Sequence, residues 1–167
     1  MTVYTQVGSP LGDILLVGEE QPDGSAALRS VSLPGQKGGA VVRDAGRRAP
    51  AAFAPVVEQF DAYFAGSRTR FDVPWVMPAT ATAFQQRVWR VLDDIPYGTT
   101  VTYGEVAARV GTGGAGVRAV GTAIGRNPLL VVRPCHRVIG ADGALRGYAA
   151  GAERKQLLLG WEGARVR

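Results

Sequence analysis

Residues 103–127 read YGEVAARVGTGGAGVRAVGTAIGRN, which is two short helical patterns on either side of a glycine-rich turn. Thr102 precedes the first pattern and can cap a helix over it, and the second helix is predicted over VRAVGTAIGRN (117–127). Two short helices joined in this way are typical of a helix-turn-helix. Many helical hairpins bind nothing, so the pattern alone leaves the function of this hairpin open.

Small side chains dominate the second predicted helix, and they are Ala119, Gly121, Ala123 and Gly125. They leave one side of the helix nearly bare, which lets another backbone come close. Tight packing against a neighbouring helix is one explanation. The adjacent Arg118 favours a nucleic-acid groove instead, because arginine suits bidentate contacts with phosphates and bases.

The chain holds one cysteine and one histidine, and they stand side by side as Cys135 and His136 in RPCHRVIG (133–140). Arg133 and Arg137 flank them, and positive neighbours lower the pKa of a thiol and favour the nucleophilic thiolate. A single cysteine is also often an inert, buried residue. The residues alone therefore leave a reactive and an inert Cys135 both open.

A histidine that acts as a base needs an orienting group, typically a carboxylate. In the C-terminal part of the chain the candidates are Asp142, Glu153 and Glu162. Adjacent residues on a strand point to opposite sides, so a water between Cys135 and His136 is as consistent with the pattern as direct contact. One cysteine and one histidine cannot form the usual Cys/His zinc site, and we expect neither a metal nor a cofactor.

The composition indicates a globular protein, since 46% of the residues are hydrophobic and 20% are charged. No run approaches the roughly 18 apolar residues that a membrane span needs. The N-terminus lacks the basic and then apolar pattern of a signal peptide. A single cysteine cannot form an internal disulfide, so we expect a cytoplasmic protein without a membrane partner.

Positive charge is concentrated in the second half of the chain. Residues 1–80 carry 7 Lys and Arg against 8 Asp and Glu, whereas residues 81–167 carry 12 against 6. All cations of the second half except Lys155 are arginines. This excess suits nucleic acid, and a basic surface kept for solubility explains it equally well.

The first half shows the alternation of short strands. Apolar runs at 3–7, 13–18 and 27–33 are separated by turn signals and predict an antiparallel meander. Residues 53–64 place apolar side chains on one face of a helix that Gly66 ends.

Less regular segments separate these elements from the second half. Residues 34–50 are predicted to be a loop, and residues 71–79, with two prolines, are predicted to be a linker or an edge segment. We therefore place a domain boundary near Ala79, with an N-terminal α/β domain over 1–79 and a C-terminal domain over 80–167.

The second half is predicted to be mainly helical. Thr80 or Thr82 can cap a first helix, which Pro96–Gly98 end. Its apolar face comprises Phe84, Val88, Val91, Leu92 and Ile95. LLVV (129–132) is predicted to be a short buried strand. The last helix is predicted in ERKQLLLGWEG, and its side chains predicted to face the core are Leu157, Leu158 and Trp161.

Over residues 82–163 the chain carries, in this order, FQQRVWRVLDDIPYGTTVTYGEVA, RAVGTAIGRNP, PCHRVIG, GYAAG and LLLGWEG. Together these motifs closely resemble the O6-alkylguanine-DNA alkyltransferases, and the first part, with its SPLG turn, looks like the N-terminal domain of the bacterial members. The resemblance implies an α+β fold. Its N-terminal part would be a small antiparallel sheet with a helix (RNase H-like), and its C-terminal domain would be helical with a winged helix-turn-helix.

The resemblance implies direct DNA repair after base flipping through the minor groove. The methyl or alkyl group of O6-alkylguanine, and by expectation of O4-alkylthymine, would move irreversibly to Cys135. No second cysteine regenerates the thiol, so each molecule would act once as a suicidal, single-turnover methyltransferase. The expected partner is double-stranded DNA with O6-alkylguanine. We expect a monomer in solution, with cooperative assembly on DNA left open.

The family activates its cysteine through a water by histidine and glutamate, which here implies Cys135, His136 and Glu162. The asparagine that braces the active-site loop corresponds to Asn127. The tyrosine that donates a proton to the leaving guanine corresponds to Tyr103.

The resemblance also assigns substrate and DNA contacts. Tyr148 would wall the alkyl pocket, the backbone N–H of Ala149 would contact O6, and the carbonyls of Cys135 and Val138 would read the guanine amino group. Arg118 would enter the base stack. The small residues that would fit the minor groove, roughly 6 Å wide, are Ala119, Gly121 and Ala123.

The chain departs from the family pattern in places. The residue before Pro134 is usually apolar, and here it is Arg133, which we expect to favour the thiolate or to touch a phosphate. The turn between the two helices is longer and richer in glycine. Residues 148–151 read Tyr-Ala-Ala-Gly where relatives often carry Gly or Ser, which affects the width of the pocket.

Two other functions were weighed against repair. A damage sensor would bind alkylated DNA with an inert Cys135, and the intact Cys-His pair with Glu162 argues against it. A cysteine hydrolase is the weaker alternative, because its cysteine and histidine are normally far apart in sequence.

Overall fold

The structure, a computed structural model, describes residues 1–112, 116–145 and 147–164. The chain divides into two compact units. The first unit comprises Met1–Ala79 and Pro128–Val132, and the second comprises Thr80–Asn127 and Arg133–Arg167. The segment 128–132, which the sequence pattern placed in the second domain, thus groups with the first unit.

A four-stranded sheet forms the base of the first unit, in the order β3-β2-β1-β4. The strands are β1 (Thr2–Val7), β2 (Ile14–Glu20), β3 (Ala26–Ser32) and β4 (Arg47–Arg48). The first three form the predicted antiparallel meander, and β4 pairs in parallel with β1. β4 lies within residues 34–50, which are predicted to be a loop. The sequence pattern does not indicate this strand, because two exposed arginines show no alternation.

Two short backbone pairings cover the outer edge of β3. The N–H of Leu28 donates to the carbonyl of Pro74 (2.8 Å), and the N–H of Val31 donates to the carbonyl of Pro128 (2.9 Å). Such cover keeps an edge strand from pairing with another chain. Residues 71–79 therefore include an edge segment, as predicted.

The run LLVV (129–132) does not form the predicted strand. Leu129 makes a single bridge to Val31, and the N–H of Val132 then donates to the carbonyl of Leu130 (2.8 Å) across a tight turn. Val131 at the centre of this turn has a φ of 70°. A strand requires a negative φ, so the prediction of a regular strand is wrong. A β-branched residue with a positive φ costs about 1–3 kcal/mol.

The first unit contains one longer helix among its described residues, α1 (Ala54–Phe64), which follows a 3-10 turn at Pro50–Phe53. Its buried side chains are Val56, Phe60 and Tyr63. The N–H of Gly66, at a φ of 80°, donates to the carbonyl of Tyr63 (3.0 Å) just beyond the helix. The predicted helix and its glycine stop are confirmed.

Gly46 is expected to tolerate no side chain. It has a φ of 88°, and a Cβ atom there would collide with the carbonyl oxygen of Thr2. We expect Gly46→Ala to lower the free energy of unfolding by about 2–4 kcal/mol in urea denaturation. Gly24→Ala is the matched control, because Gly24 has a φ of 85° and no atom within 4 Å of such a Cβ. It should cost only about 1 kcal/mol, and equal losses would contradict the steric explanation.

The second unit is mainly helical. Its elements are α2 (Ala83–Asp93), β5 (Val101–Thr102), α3 (Tyr103–Val110), α4 (Val117–Gly125), a 3-10 helix (Cys135–Arg137), β6 (Val138–Ile139) and α5 (Ala152–Trp161). β5 and β6 pair in parallel. Within the described ranges, none of the helices is both long and apolar enough to span a membrane.

Two threonines start the helices of the second unit. Thr82, rather than Thr80, caps α2: its Oγ1 accepts from the N–H of Gln85 (3.0 Å), and its own N–H donates to the Gln85 side chain (3.0 Å). This reciprocal pair is a capping box. Thr102 caps α3 as predicted, since its Oγ1 accepts from the N–H of Glu105 (3.1 Å).

Helices α3 and α4 are the two short helices that residues 103–127 predict. Their buried side chains are Val106 and Ala107 in α3 and Val120, Ala123 and Ile124 in α4. The indole N–H of Trp89 in α2 donates to the carbonyl of Ala123 (2.9 Å), which fixes α4 against α2. Residues 113–115 of the predicted glycine-rich turn lie outside the described residues.

Helix α5 buries Leu158, as predicted, but not the other two residues of the predicted inward face. The buried side chains of α5 are Lys155, Leu158 and Leu159. Glu162, directly after the helix, is also buried. Leu157 and Trp161, predicted to point inward, are 40% and 43% exposed. Three consecutive leucines fit two alternative helix faces, and the face that is buried carries the two charged residues.

Candidate active site

Cys135 begins the 3-10 helix that leads into β6, and it is buried. Its N–H donates to the carbonyl of Arg133 (2.7 Å) across Pro134, whose φ of −78° and ψ of 58° form an inverse γ-turn. Its carbonyl accepts from the N–H of Val138. The backbone of Cys135 is therefore held from both sides.

Asn127, directly beyond α4, holds the same turn from the side. Its Nδ2 donates to the carbonyl of Arg133 (3.0 Å), and its side chain also hydrogen-bonds the Cys135 thiol. Asn127 is buried, so these bonds are shielded from water. The structure thus places Asn127 beside the cysteine, where the resemblance expects a bracing residue.

His136, Glu162 and Arg137 form a buried hydrogen-bonded network. Nε2 of His136 lies 2.7 Å from Oε2 of Glu162. Arg137 donates to the same carboxylate from Nε (2.7 Å) and Nη2 (3.1 Å), and its Nη1 donates to the carbonyl of Ile95 (2.6 Å). Among the three candidate carboxylates, Glu162 is the one that reaches His136.

The charges in this network fix the tautomer of His136. Burial alone would raise the pKa of Glu162, but hydrogen bonds from His136 and Arg137 outweigh it and lower the pKa to about 2. Burial lowers the pKa of His136, against the pull of Glu162, so the imidazole is neutral at pH 7. An ionised carboxylate only accepts, so Nε2 carries the proton and Nδ1 is left with a lone pair.

Nδ1 of His136 is buried and has no hydrogen-bond partner among the described residues. Nδ1 is the basic nitrogen of this neutral ring, and His136 directly follows Cys135 in the sequence. Burial raises the pKa of the Cys135 thiol, and the Asn127 hydrogen bond and the charges of Lys155 and Arg133 oppose this rise. Thiolate formation therefore needs a proton acceptor, and Nδ1 can serve as one.

Lys155 is a buried cation that sequence reasoning missed. Burial lowers its pKa to about 8, so below that pH it is an ammonium ion whose charge acts on Cys135. Its Nζ lies 5.8 Å from the ring centre of Tyr103. Helical spacing did not indicate this burial, because a lysine on a leucine-rich helix is expected at the surface.

Arg137 was recognised, but with a different role. The sequence pattern predicts that Arg137 is a cation next to the thiol, whereas the structure pairs its guanidinium with Glu162 in a two-pronged contact. A planar guanidinium matches a carboxylate in this way. Arg137 therefore acts on the base of the site through the carboxylate.

The predicted pocket tyrosines both lie in the second unit. Tyr148 is buried, with its ring edge-on to His136 and the ring centres 6.5 Å apart. The hydroxyl of Tyr103, the first residue of α3, lies so close to Gly147 that a Cβ there would meet it at 2.6 Å. Gly147, at a φ of 80°, thus admits the Tyr103 hydroxyl.

The two predicted backbone contacts have distinct surroundings. Ala149 is half-buried in a turn in which the N–H of Gly151 donates to the carbonyl of Tyr148 (3.0 Å). Val138 is buried in β6. The carbonyl of Cys135 already accepts one hydrogen bond and has a second lone pair for a ligand.

The residues predicted to contact DNA do not share one face of α4. Arg118 and Ala119 are exposed, whereas Gly121 is half-buried near the ring of Tyr103. Ala123 is buried, and its carbonyl accepts from Trp89. The burial of Ala123 speaks against the expected contact between its side chain and DNA.

A buried thiol, a neutral histidine and a carboxylate locked by arginine define a protein that accepts a chemical group on its cysteine. Comparison with known families agrees with this chemistry. Residues 83–164 match the family model "6-O-methylguanine DNA methyltransferase, DNA binding domain". Residues 2–75 match "6-O-methylguanine DNA methyltransferase, ribonuclease-like domain".

Individual relatives cover nearly the whole chain. The methylated-DNA–protein-cysteine methyltransferase of Mycolicibacterium paratuberculosis is 46% identical over 162 residues, which are 97% of this chain and 93% of that protein. A crystal structure of Mycobacterium tuberculosis O6-methylguanine methyltransferase has a TM-score of 0.86 at 42% identity, covering 100% of this chain and 96% of that one. Another, of the Mycobacterium tuberculosis OGT in complex with DNA, has a TM-score of 0.85 at 42% identity, covering 96% and 92%.

The chain belongs to the 6-O-methylguanine DNA methyltransferase family. This confirms the resemblance that the motifs carried. It also confirms the α+β fold with a small N-terminal sheet and a helical C-terminal part.

Proposed function

We propose that this protein is a methylated-DNA–protein-cysteine methyltransferase that repairs O6-alkylguanine in double-stranded DNA. It transfers the alkyl group to its own Cys135 and is consumed in doing so. The observation that carries the proposal is the buried Cys135 beside a neutral His136, whose Nε2 lies 2.7 Å from the ionised Glu162. A sensor without chemistry would not require this network, and the relatives are named as methyltransferases.

The proposed reaction begins with proton transfer. The thiol proton of Cys135 passes to Nδ1 of His136, directly or through a water, and Glu162 stabilises the imidazolium that forms. Glu162 does not itself take the proton, because its pKa of about 2 keeps it ionised. Arg137 thus makes Glu162 a fixed counter-charge rather than a second base.

Alkyl transfer follows as an in-line displacement. The thiolate of Cys135 attacks the alkyl carbon, the C–S bond forms, and the bond from that carbon to O6 breaks. The guanine leaves with the electron pair and takes up a proton, for which we assign Tyr103 as the donor. The base must leave the helix stack first, since O6 is not open to such attack within the duplex.

The substrate pocket is assigned from the neighbours of Cys135. We place Tyr148 at its wall because the ring packs against His136. Ala149 would contact O6 through its N–H, and the carbonyls of Cys135 and Val138 would accept from the guanine amino group. Asn127 would keep the turn that carries these groups in place.

The DNA contact is assigned to α4. Arg118 and Ala119 are exposed in its first turns, and Gly121 offers no side chain on the flank that faces Tyr103. We propose that Arg118 fills the space that the flipped base leaves. Short side chains around it would let the helix enter the minor groove.

Several further assignments rest on the family and the sequence. We propose a domain division at residue 79, a winged form of the helix-turn-helix, a monomer in solution and action in the cytoplasm. O4-alkylthymine is the proposed second substrate.

Replacing Arg118 by alanine is expected to slow repair in duplex DNA by roughly tenfold to a hundredfold, because unstacking a base costs a few kcal/mol. Reaction with a free O6-alkylguanine base should stay within about twofold, since no stack is opened. Single-turnover rates on both substrates check this. Arg126→Ala, a loss of the same charge at the exposed end of α4, should affect the duplex rate less. Equal losses on both substrates would remove Arg118 from this role.

The proposed function is tested by the intact mass of the protein after incubation with a duplex that contains one O6-methylguanine. We expect a gain of one methyl group, saturating at one per molecule, and no gain for Cys135→Ser. Tight binding to the lesion without any gain in mass would refute methyl transfer and establish the sensor instead.

A further inference from the structure

Arg133 is buried next to the active-site turn. Its side chain is 2% exposed, and its Nε donates to Oδ1 of Asp93 (3.0 Å) at the end of α2. Its guanidinium carbon lies 5.3 Å from the ring centre of Trp89. The expectation that Arg133 touches a phosphate is therefore corrected, because the side chain points into the second unit.

The two partners of this ion pair differ in their exposure to water. The Asp93 side chain is 42% exposed, so solvent screens much of its negative charge. The Arg133 charge lies in the protein interior, where screening is weak. The guanidinium is thus the buried end of this pair, and the carboxylate is its more exposed end.

Stability does not account for a buried arginine at this position. Burying a guanidinium carries a large desolvation cost, and pairing it with a carboxylate typically gives little or no net gain over an apolar residue. The arginine therefore calls for an explanation in the chemistry of its neighbours.

The backbone of Arg133 connects it with the reacting residue. Its carbonyl accepts both from the N–H of Cys135 (2.7 Å) and from Nδ2 of Asn127 (3.0 Å). Anchoring its side chain on Asp93 and Trp89 thus fixes the carbonyl that holds the cysteine. The Arg133 charge also opposes the rise that burial causes in the pKa of Cys135.

We propose that Arg133 is a positioning residue that holds the turn of Cys135 through Asp93 and Trp89 and keeps a permanent positive charge in the protein interior, two residues before the cysteine. The expected consequence is that the reactive thiolate forms at lower pH. The effect of Arg133 on repair rests on the proposed function. Its effect on the thiol does not, because any small electrophile can report it.

Lys155 also acts on this thiol, and the charged groups around the active-site turn and its anchor have to be kept constant. They are Lys155 from α5, Arg137 and His136 from the 3-10 helix, Glu162 beyond α5, and Asp93 and Asp94 at the end of α2. Burial lowers the pKa of His136, so its titration also has to be the same in every variant that is compared. Variants of Arg133 leave all of these residues in place, so a shifted profile reports the arginine.

The experiment measures the rate at which iodoacetamide alkylates Cys135, by intact mass, as a function of pH. Arg133→Met should shift the profile to higher pH and lower the rate at pH 6 by roughly threefold to tenfold. Arg133→Lys should restore much of the rate, because it keeps the charge. Asp93→Asn should lower the rate by a similar factor at every pH, because the anchor of Arg133 is weakened, and should not move the profile to higher pH, because the Arg133 charge remains.

A role in packing alone predicts a different result. Arg133→Met and Asp93→Asn would then slow alkylation together without moving the pH profile, and that outcome would overturn the proposal. Arg90→Met, which removes an exposed arginine from α2, is the control for net charge and should leave the profile unchanged. If Arg133→Met fails to fold, Asp93→Asn decides, since a shift to higher pH contradicts the proposed charge effect.

Methyl transfer from O6-methylguanine in duplex DNA is measured in parallel on the same variants. A wild-type protein that reacts with iodoacetamide but not with the lesion would refute the proposed function and leave the inference about Arg133 standing. If the wild-type protein repairs DNA and the Arg133→Met variant shows the wild-type pH profile in both assays, the inference about Arg133 is refuted and the proposed function is not.

Discussion

Replacing Glu162 by glutamine is expected to slow methyl transfer to Cys135 by about 10²- to 10⁴-fold. The neutral amide does not stabilise an imidazolium ion. Its NH₂ group can also donate to Nε2 of His136, which would move the ring proton to Nδ1 and remove the lone pair that receives the thiol proton. The single-turnover rate with an O6-methylguanine duplex, followed by intact mass, measures the loss.

Glu153→Gln is the matched control for this change. Glu153 lies in the first turn of α5, the helix that ends directly before Glu162, and its side chain is exposed. Its replacement should therefore leave the rate within about twofold of the wild type. Binding to the lesion should persist in both variants, because Glu162 is buried behind His136. A Glu162→Gln rate close to the wild-type rate would mean that the thiol proton leaves by a route other than His136.

Replacing Arg137 by methionine is expected to lower the free energy of unfolding by about 3–5 kcal/mol, because it leaves Glu162 as a buried charge without its two-pronged partner. Urea denaturation at pH 7 measures the loss. The double variant Arg137→Met with Glu162→Gln tests the cause. If the unpaired charge is responsible, the double variant is more stable than Arg137→Met, and a further loss would contradict this.

The same network makes stability depend on pH. The pKa of Glu162 is lowered from 4.5 to about 2 on folding, so its contribution is complete above pH 4.5 and is lost as the pH falls towards 2. The pKa of His136 is lowered from 6.5 by burial, so it also favours the folded state above that pH and acts in the same direction. Without Arg137, the pKa of Glu162 rises, and we expect acid unfolding to begin at higher pH.

Periodicity predicted most of the fold. Alternating residues gave β1 to β3, and helical spacing with threonine caps gave α2 and α3. β4 was missed because two exposed arginines carry no alternation. The strand at LLVV was wrong because an apolar run records burial but not the backbone angle of Val131.

The sequence predicted which residues form the site better than it predicted the contacts between them. Cys135 and His136 were visible because each is the only residue of its type, and the family motif singled out Glu162. Lys155 was missed because a lysine on a leucine-rich helix is expected at the surface. Its burial beside Tyr103 follows from three-dimensional packing that spacing along one helix does not contain.

The segment 128–132 affects the order in which the chain can fold on the ribosome. The strands β1 to β3 are synthesised first, and Pro74 can pair with β3 soon afterwards. The pairing of Val31 with Pro128 has to wait until α2, α3 and α4 have been translated. The first unit therefore gains this last edge pairing only after more than half of the second unit has been synthesised, just before Cys135 itself is added.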